Sequence, residues 1–172
     1  MALASRPATA EIRLLRSEAT HSIAFTGRAL VVFWKTETRE QAVNELSSMI
    51  AGLAAECGPV GLLQVIDDHA IPPESATRAA LARMLKNNET RIIASAVVFE
   101  GAGFRASVVR SIVIGISMLS RPQCPHMIFA TANEGIAWLS ARLSERRSSD
   151  HVASGMQLAV EQLRQRMRLA SL

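Results

Sequence analysis

The stretch RIIASAVVFEGAGFRASVVRSIVIGISML, residues 91–119, decides how the rest of the chain is read. Its first part, Ile92 to Phe99, is an uncharged run rich in Ile and Val, as a strand covered on both faces of a sheet requires. A glycine turn, Glu100 to Gly103, follows. Phe104 to Leu119 then reads as a helix that is apolar nearly all round, with Arg105 and Arg110 its only charges. Such a helix needs cover on more than one side: its own sheet supplies one, and something else must supply the other.

Upstream, Ile12 to Arg16, His21 to Phe25 and Ala29 to Trp34 read as strands, the last two joined through the short turn Thr26-Gly27-Arg28 as a hairpin. Thr38 and Gln41 have the spacing of a capping box, opening an amphipathic helix to Cys57 that Gly58-Pro59 stops. Val60 to Ile66 is the next strand. Asp67 to Pro73 is a loop, because its prolines cannot continue a strand, and a helix from Glu74 to Asn87 follows. Downstream of Leu119, His126 to Ala130 makes a short strand and Thr131 caps a helix to Leu143. This alternation predicts an α/β fold: an open, mixed but mostly parallel sheet with helices packed against it and antiparallel opening strands.

Residues 1–10 are small, polar or flexible and are expected to be disordered; residues 11–145 form the α/β domain. Arg146 to Asp150 is a polar break, so 146–155 reads as a linker and 156–170 as a C-terminal amphipathic helix. Its stripe of Met156, Val160, Leu163 and Met167 must dock on something, since a helix this short is marginal alone. The stripe can fold back on the domain or meet a second copy. The second is the expectation, which makes these four residues an oligomer interface.

With 172 residues, 49% of them hydrophobic, the chain can bury a core without disulfides or metals. Cys57 and Cys124 stand apart with no CxxC pair, as two reduced thiols of a cytoplasmic protein would. The net charge is +4, carried almost wholly by arginine, but aromatics are 4% with no Tyr, so stacking platforms for nucleic acid are few. The start of the chain lacks the apolar length of a secretory signal. Phe104 to Leu119 is shorter than the ~20 residues that span a bilayer and carries Arg110 mid-way, so no membrane span is expected.

Three local patterns resemble the SpoIIAA-like (STAS/Sec14-type) domain family, which is related to anti-sigma-factor-antagonist domains. They are Pro72-Pro73 leading to Arg78, the run from Ala96 to Arg105, and the strand-then-helix from Ile128 to Leu139 with its Trp138-Leu139 pair. The similarity covers roughly residues 11–143. It implies a bacterial regulatory or ligand-sensing module without catalysis, acting by protein contacts and able to hold a small or lipid ligand. The serine switch of STAS proteins is missing: that junction reads Asp67 to Ser75, with Ser75 and Thr77 nearby but outside the pattern.

Two clusters remain as candidate sites. Gly101 and Gly103 precede a helix, where free backbone N–H groups and Arg105 could meet an anion, although Ala106 breaks the dinucleotide fingerprint. Asp67, Asp68 and His69 lie at the carboxyl end of a parallel strand, where open α/β sheets place ligands, but no third orienting group is in sight. Arg110 is expected either to snorkel or to face an interface. His21, His126 and His151 read as surface or edge residues. The chain is thus expected to be no enzyme and to use no cofactor or metal. It should act as a self-associating interaction module; the alternative is a carrier or sensor holding an apolar or lipid ligand between helix 104–119 and the sheet.

Overall fold

The computed structural model describes residues 11–144 and 149–169. Eleven elements follow one another: β1 (Ile12–Ser17), β2 (His21–Thr26), β3 (Ala29–Trp34), α1 (Glu40–Cys57), β4 (Val60–Ile66), α2 (Ser75–Asn87), β5 (Ile92–Phe99), α3 (Gly103–Ser120), β6 (His126–Phe129), α4 (Ala132–Leu143) and α5 (Ser149–Leu169). The strands form one sheet in the order of the chain; β1, β2 and β3 pair antiparallel, and β3 through β6 pair parallel. This is the α/β architecture with an open, mostly parallel sheet expected above. The disordered start expected for residues 1–10 lies outside the described residues.

Each parallel strand pair is joined by a helix. Val43, Leu46 and Ile50 of α1 and Ala80, Met84 and Leu85 of α2 share one apolar cluster with Leu30, Val32 and Leu62. Val109 and Val113 of α3 pack with Val97 and Phe99 on the same side. Alternate residues, Val31, Leu63, Ala96 and Val98, face a second layer made by α4 and α5. The period of two along each strand thus feeds two cores from one sheet.

The sequence misjudges the start of α1. Arg39, not Thr38, is its N-cap, and no side chain caps it. Ile71 N–H donates to the Thr36 carbonyl at 2.8 Å, and Glu37 pairs with Ile71 as a parallel bridge. That pairing holds residues 36–37 extended, so the helix begins later. Gln41 Nε2 instead donates to Glu45 Oε1 at 3.1 Å. At α4 the cap is complete: Thr131 accepts from Glu134 N–H, and Glu134 accepts from Thr131 N–H.

The expected oligomer interface is corrected too. Met156, Val160, Leu163 and Met167 are buried within the chain's own second layer. The reason is geometric. α4 lies over β4 and β5, which leaves the inner side of β2 and β3 to be covered, and α5 covers it. Ser22 Oγ donates to Met167 Sδ at 2.9 Å, and Lys35 Nζ donates to the Met167 carbonyl at 2.6 Å, holding the end of the helix on the sheet. The linker shrinks as well: α5 begins at Ser149, so 149–155 is helix, while 146–148 falls outside the described residues.

Candidate functional site

Helix α3 is the element left half covered. Ala106, Val109, Val113, Ile116 and Ser120 form its buried side. On the other side Phe104, Ile114, Met118 and Leu119 are 84, 52, 71 and 66% exposed. By length and composition α3 is apolar enough to cross a membrane, with a mean hydropathy of 1.3, yet its inner side packs on α2 and the sheet. Arg110 is exposed beside this face and has no acidic partner among the described residues. From Gly101 to Asn133 the chain carries Arg105, Arg110 and Arg121 and no Asp or Glu at all.

The turn that launches α3 is constrained by its glycines. A Cβ on Gly101 would fall 2.4 Å from the Phe99 ring, and Gly103 sits at φ +66°, a conformation side-chain-bearing residues seldom adopt. Arg105 does not wait over this turn for an anion. Its Nη2 donates to the Ala70 carbonyl at 3.0 Å, tying the first turn of α3 to the Asp67–Pro73 loop. Glu100 is also engaged: one oxygen accepts from Ala132 N–H at the start of α4, and the other pairs with Arg164 of α5.

Under α3 lies a cavity of about 60 Å³. Its floor is Trp34, Gln64, Val97 and His126; Leu81, Met84 and Leu85 of α2 and Val109, Ile112, Val113 and Ile116 of α3 wall it, and Thr38 with Ala70 to Pro73 forms the lip. The Trp34 indole N–H donates to Gln64 Oε1 at 3.1 Å, which satisfies both groups. Both ring nitrogens of His126 are shut from solvent and lack a partner, and so is the hydroxyl of Ser95, its register neighbour on β5. Burial holds the His126 pKa below the ordinary histidine value.

One histidine, His21, sits elsewhere than the sequence suggested, and His126 is an edge residue as expected but only partly exposed. His126 is half-buried on the edge strand β6, where the period of two puts it on the face of Ile128, which packs under α3. That alternation was the available signal. His21 is buried against Trp34, with ring centroids 5.2 Å apart, and Thr20 Oγ1 lies 3.0 Å from its Nδ1. Burial lowers its pKa more than the nearby Glu18 and Glu45 raise it.

Asp67, Asp68 and His69 do come together. His69 Nδ1 lies 3.2 Å from an Asp67 oxygen and 2.5 Å from an Asp68 oxygen, and all three donor groups fall within 4.8 Å. His69 and Asp68 are exposed, and no further His, Cys, Asp or Glu joins them among the described residues. The cluster reads as a loop braced from within: Asp67 also accepts from His69 N–H at 2.9 Å. Ser75 is exposed at the start of α2, whereas Thr77 is buried. Cys124 is buried, which pushes its thiol pKa up and leaves it a poor nucleophile; Cys57 is also free.

No protein-family model matches this sequence. No curated protein matches it either. Among solved structures, the chain is similar to an uncharacterized protein of the DUF3478 family with a SpoIIAA-like fold from Shewanella loihica PV-4. The two share 10% identity at a TM-score of 0.44, over 80% of this chain and 99% of that one.

Proposed function

We propose that this domain is a non-enzymatic cytoplasmic interaction module that docks another protein on the outer face of α3. The observation that carries the reading is the exposure of Phe104, Ile114, Met118 and Leu119 along one helix. A row of large apolar side chains facing water is retained at a cost that a binding surface explains. The charges point to the occupant. With Arg110 and Arg121 exposed and no acid from Gly101 to Asn133, the surface complements an amphipathic segment bearing Asp or Glu.

A second copy of the chain fits this face less well. Two α3 helices crossing antiparallel at their midpoints would set Arg110 beside Arg110 with no acid to relieve them. The C-terminal stripe, the other motive for self-association, is spent inside the chain.

The test pairs the full chain with two 18-residue amphipathic helical peptides, one built from Leu and Glu and one from Leu and Lys, and follows binding by fluorescence anisotropy. The acidic peptide should bind at least tenfold more tightly, Ile114→Asp should abolish binding, and Arg110→Glu should reverse the preference. Equal affinity for both peptides would sink the reading. So would sedimentation showing a dimer that Ile114→Asp dissolves, which would assign the face to a second copy.

A second reading is favoured by the cavity under α3. A pocket lined almost wholly by apolar side chains, with a few polar groups on its floor, is how small-molecule sites are built. On that reading the domain also carries or senses a small apolar ligand between α3 and the sheet.

A further inference from the structure

His126 sits beneath α3 with no polar partner. It lies on the face of Ile128, which packs with Val109 and Val113 of the helix, and it lines the cavity below them. Both of its ring nitrogens are shut from solvent and unpaired, although the residue as a whole is half-buried and β6 is the last strand of the sheet. The ring is thus sealed in, while the open edge of the sheet runs along its own strand.

Neutral, such a ring leaves one donor and one acceptor unmade. Protonated, it becomes two donors and a buried charge, and nothing around it answers that charge. None of the side chains that β3, β4, β5, α2 and α3 bring to the same cavity is titratable. Ser95, its register neighbour on β5, offers only a neutral hydroxyl. The charges on the surrounding elements are cations and lie outside: Arg78, Arg83 and Lys86 of α2, Arg105 and Arg110 of α3, and Arg121 just beyond it are all exposed. The acids of the adjoining loops are engaged elsewhere, Glu89 with Lys86 and the Gln123 N–H, Glu37 with Arg39, Asp67 and Asp68 with His69. Cys124 is buried two residues away, and burial raises its thiol pKa, so it supplies no anion.

We propose that His126 is an acid-operated latch on α3: while neutral it stays seated beneath the helix, and on taking up a proton it leaves toward the edge of β6, so that α3 loses its seat. Burial alone acts on the ring and favours its neutral form. The seat is therefore complete above the ordinary value of 6.5 and weakens as the pH falls toward the lower folded value. The helix can shift without breaking its strands. It joins β5 and β6 through turns whose backbone enters the left-handed region, at Gly103 (φ +66°) and at Arg121 (φ +41°). Such element-end positions serve as hinges. The consequence for docking rests on the reading of the outer face of α3 given above: a partner that holds the helix in place and a proton that unseats it oppose each other.

The experiment is hydrogen exchange on the full chain at pH 7.5 and 5.5, corrected for intrinsic rates. If only the unseated form takes the proton, the α3 amides should lose about tenfold in protection between the two values. His126→Gln should remove that loss, and His21→Gln should leave it. Equal α3 protection at both values would overturn the latch. So would α3 exchanging only in step with β3 and β4, which would make the event a global unfolding. Should His126→Gln fail to fold, the pH profile of the native chain decides: a loss that sets in only below pH 5, among the carboxylates, overturns the role of His126. A saturating amount of the Leu and Glu peptide should slow α3 exchange at pH 5.5 at least tenfold. Exchange that stays acid-sensitive but is not slowed by the peptide would overturn the docking reading and leave the latch standing.

Discussion

Arg105, in the first turn of α3, donates a hydrogen bond to the carbonyl of Ala70, in the loop that rims the cavity. One guanidinium thus ties the exposed helix to the lip beneath it. The Ile71 N–H next to this carbonyl is itself held by the Thr36 carbonyl. Arg105→Ala should therefore loosen the loop without touching the core. The expected loss is about 1 kcal/mol, the usual worth of such a bond. Hydrogen exchange should speed at the Ile71 amide and stay unchanged on β3 and β4.

Leu163 tests where α5 belongs. It is fully buried against the sheet of its own chain, so Leu163→Ala should cost about 2–5 kcal/mol. Urea denaturation at protein concentrations a hundredfold apart should give the same midpoint for the native chain and the same shift for the variant. A midpoint that climbs with concentration would place the stripe between copies.

Thr38 and Thr131 occupy similar positions in the sequence but not in the fold. Thr131→Ala removes a two-way cap and should cost about 1 kcal/mol. Thr38→Ala removes no cap, because α1 starts one residue later behind Arg39, and should change stability by less than half that. Paired chemical denaturation curves measure both.

The pH dependence has a defined sign. His21 and His126 both have folded pKa values below the ordinary 6.5, from burial first in each case. The unfolded chain therefore takes up protons first as the pH falls. Their contribution to stability is complete above pH 6.5 and is lost as the pH drops through the folded values. Stability should fall between pH 7.5 and 5.5, where few carboxylates titrate, and His126→Leu should flatten that slope. A native chain equally stable at both values would contradict the burial of the two rings.

The sheet and its helices were legible because each strand run and each helical stripe carries its own period. β3, β4 and β5 begin and end where the apolar runs do. Three things were not legible, for physical reasons. A period tells which side of α5 is apolar but not whose sheet it meets; Met156 to Met167 would look the same in either case. The Thr38 cap failed because a long-range pairing, Glu37 with Ile71, competed with it. The burial of His21 escaped notice because a polar residue at the start of a strand reads as an edge; its packing against Trp34, across the hairpin on β3, is what covers it.

The bond between Ser22 and Met167 joins residues 145 positions apart. During synthesis at about 5–20 residues per second, the hairpin of β2 and β3 therefore leaves the ribosome roughly 7–30 s before the helix that shields it. Through that interval Val31 and Phe33 lack the helix that covers them in the folded chain. The cover for one side of the hairpin is thus the element translated last of those described here.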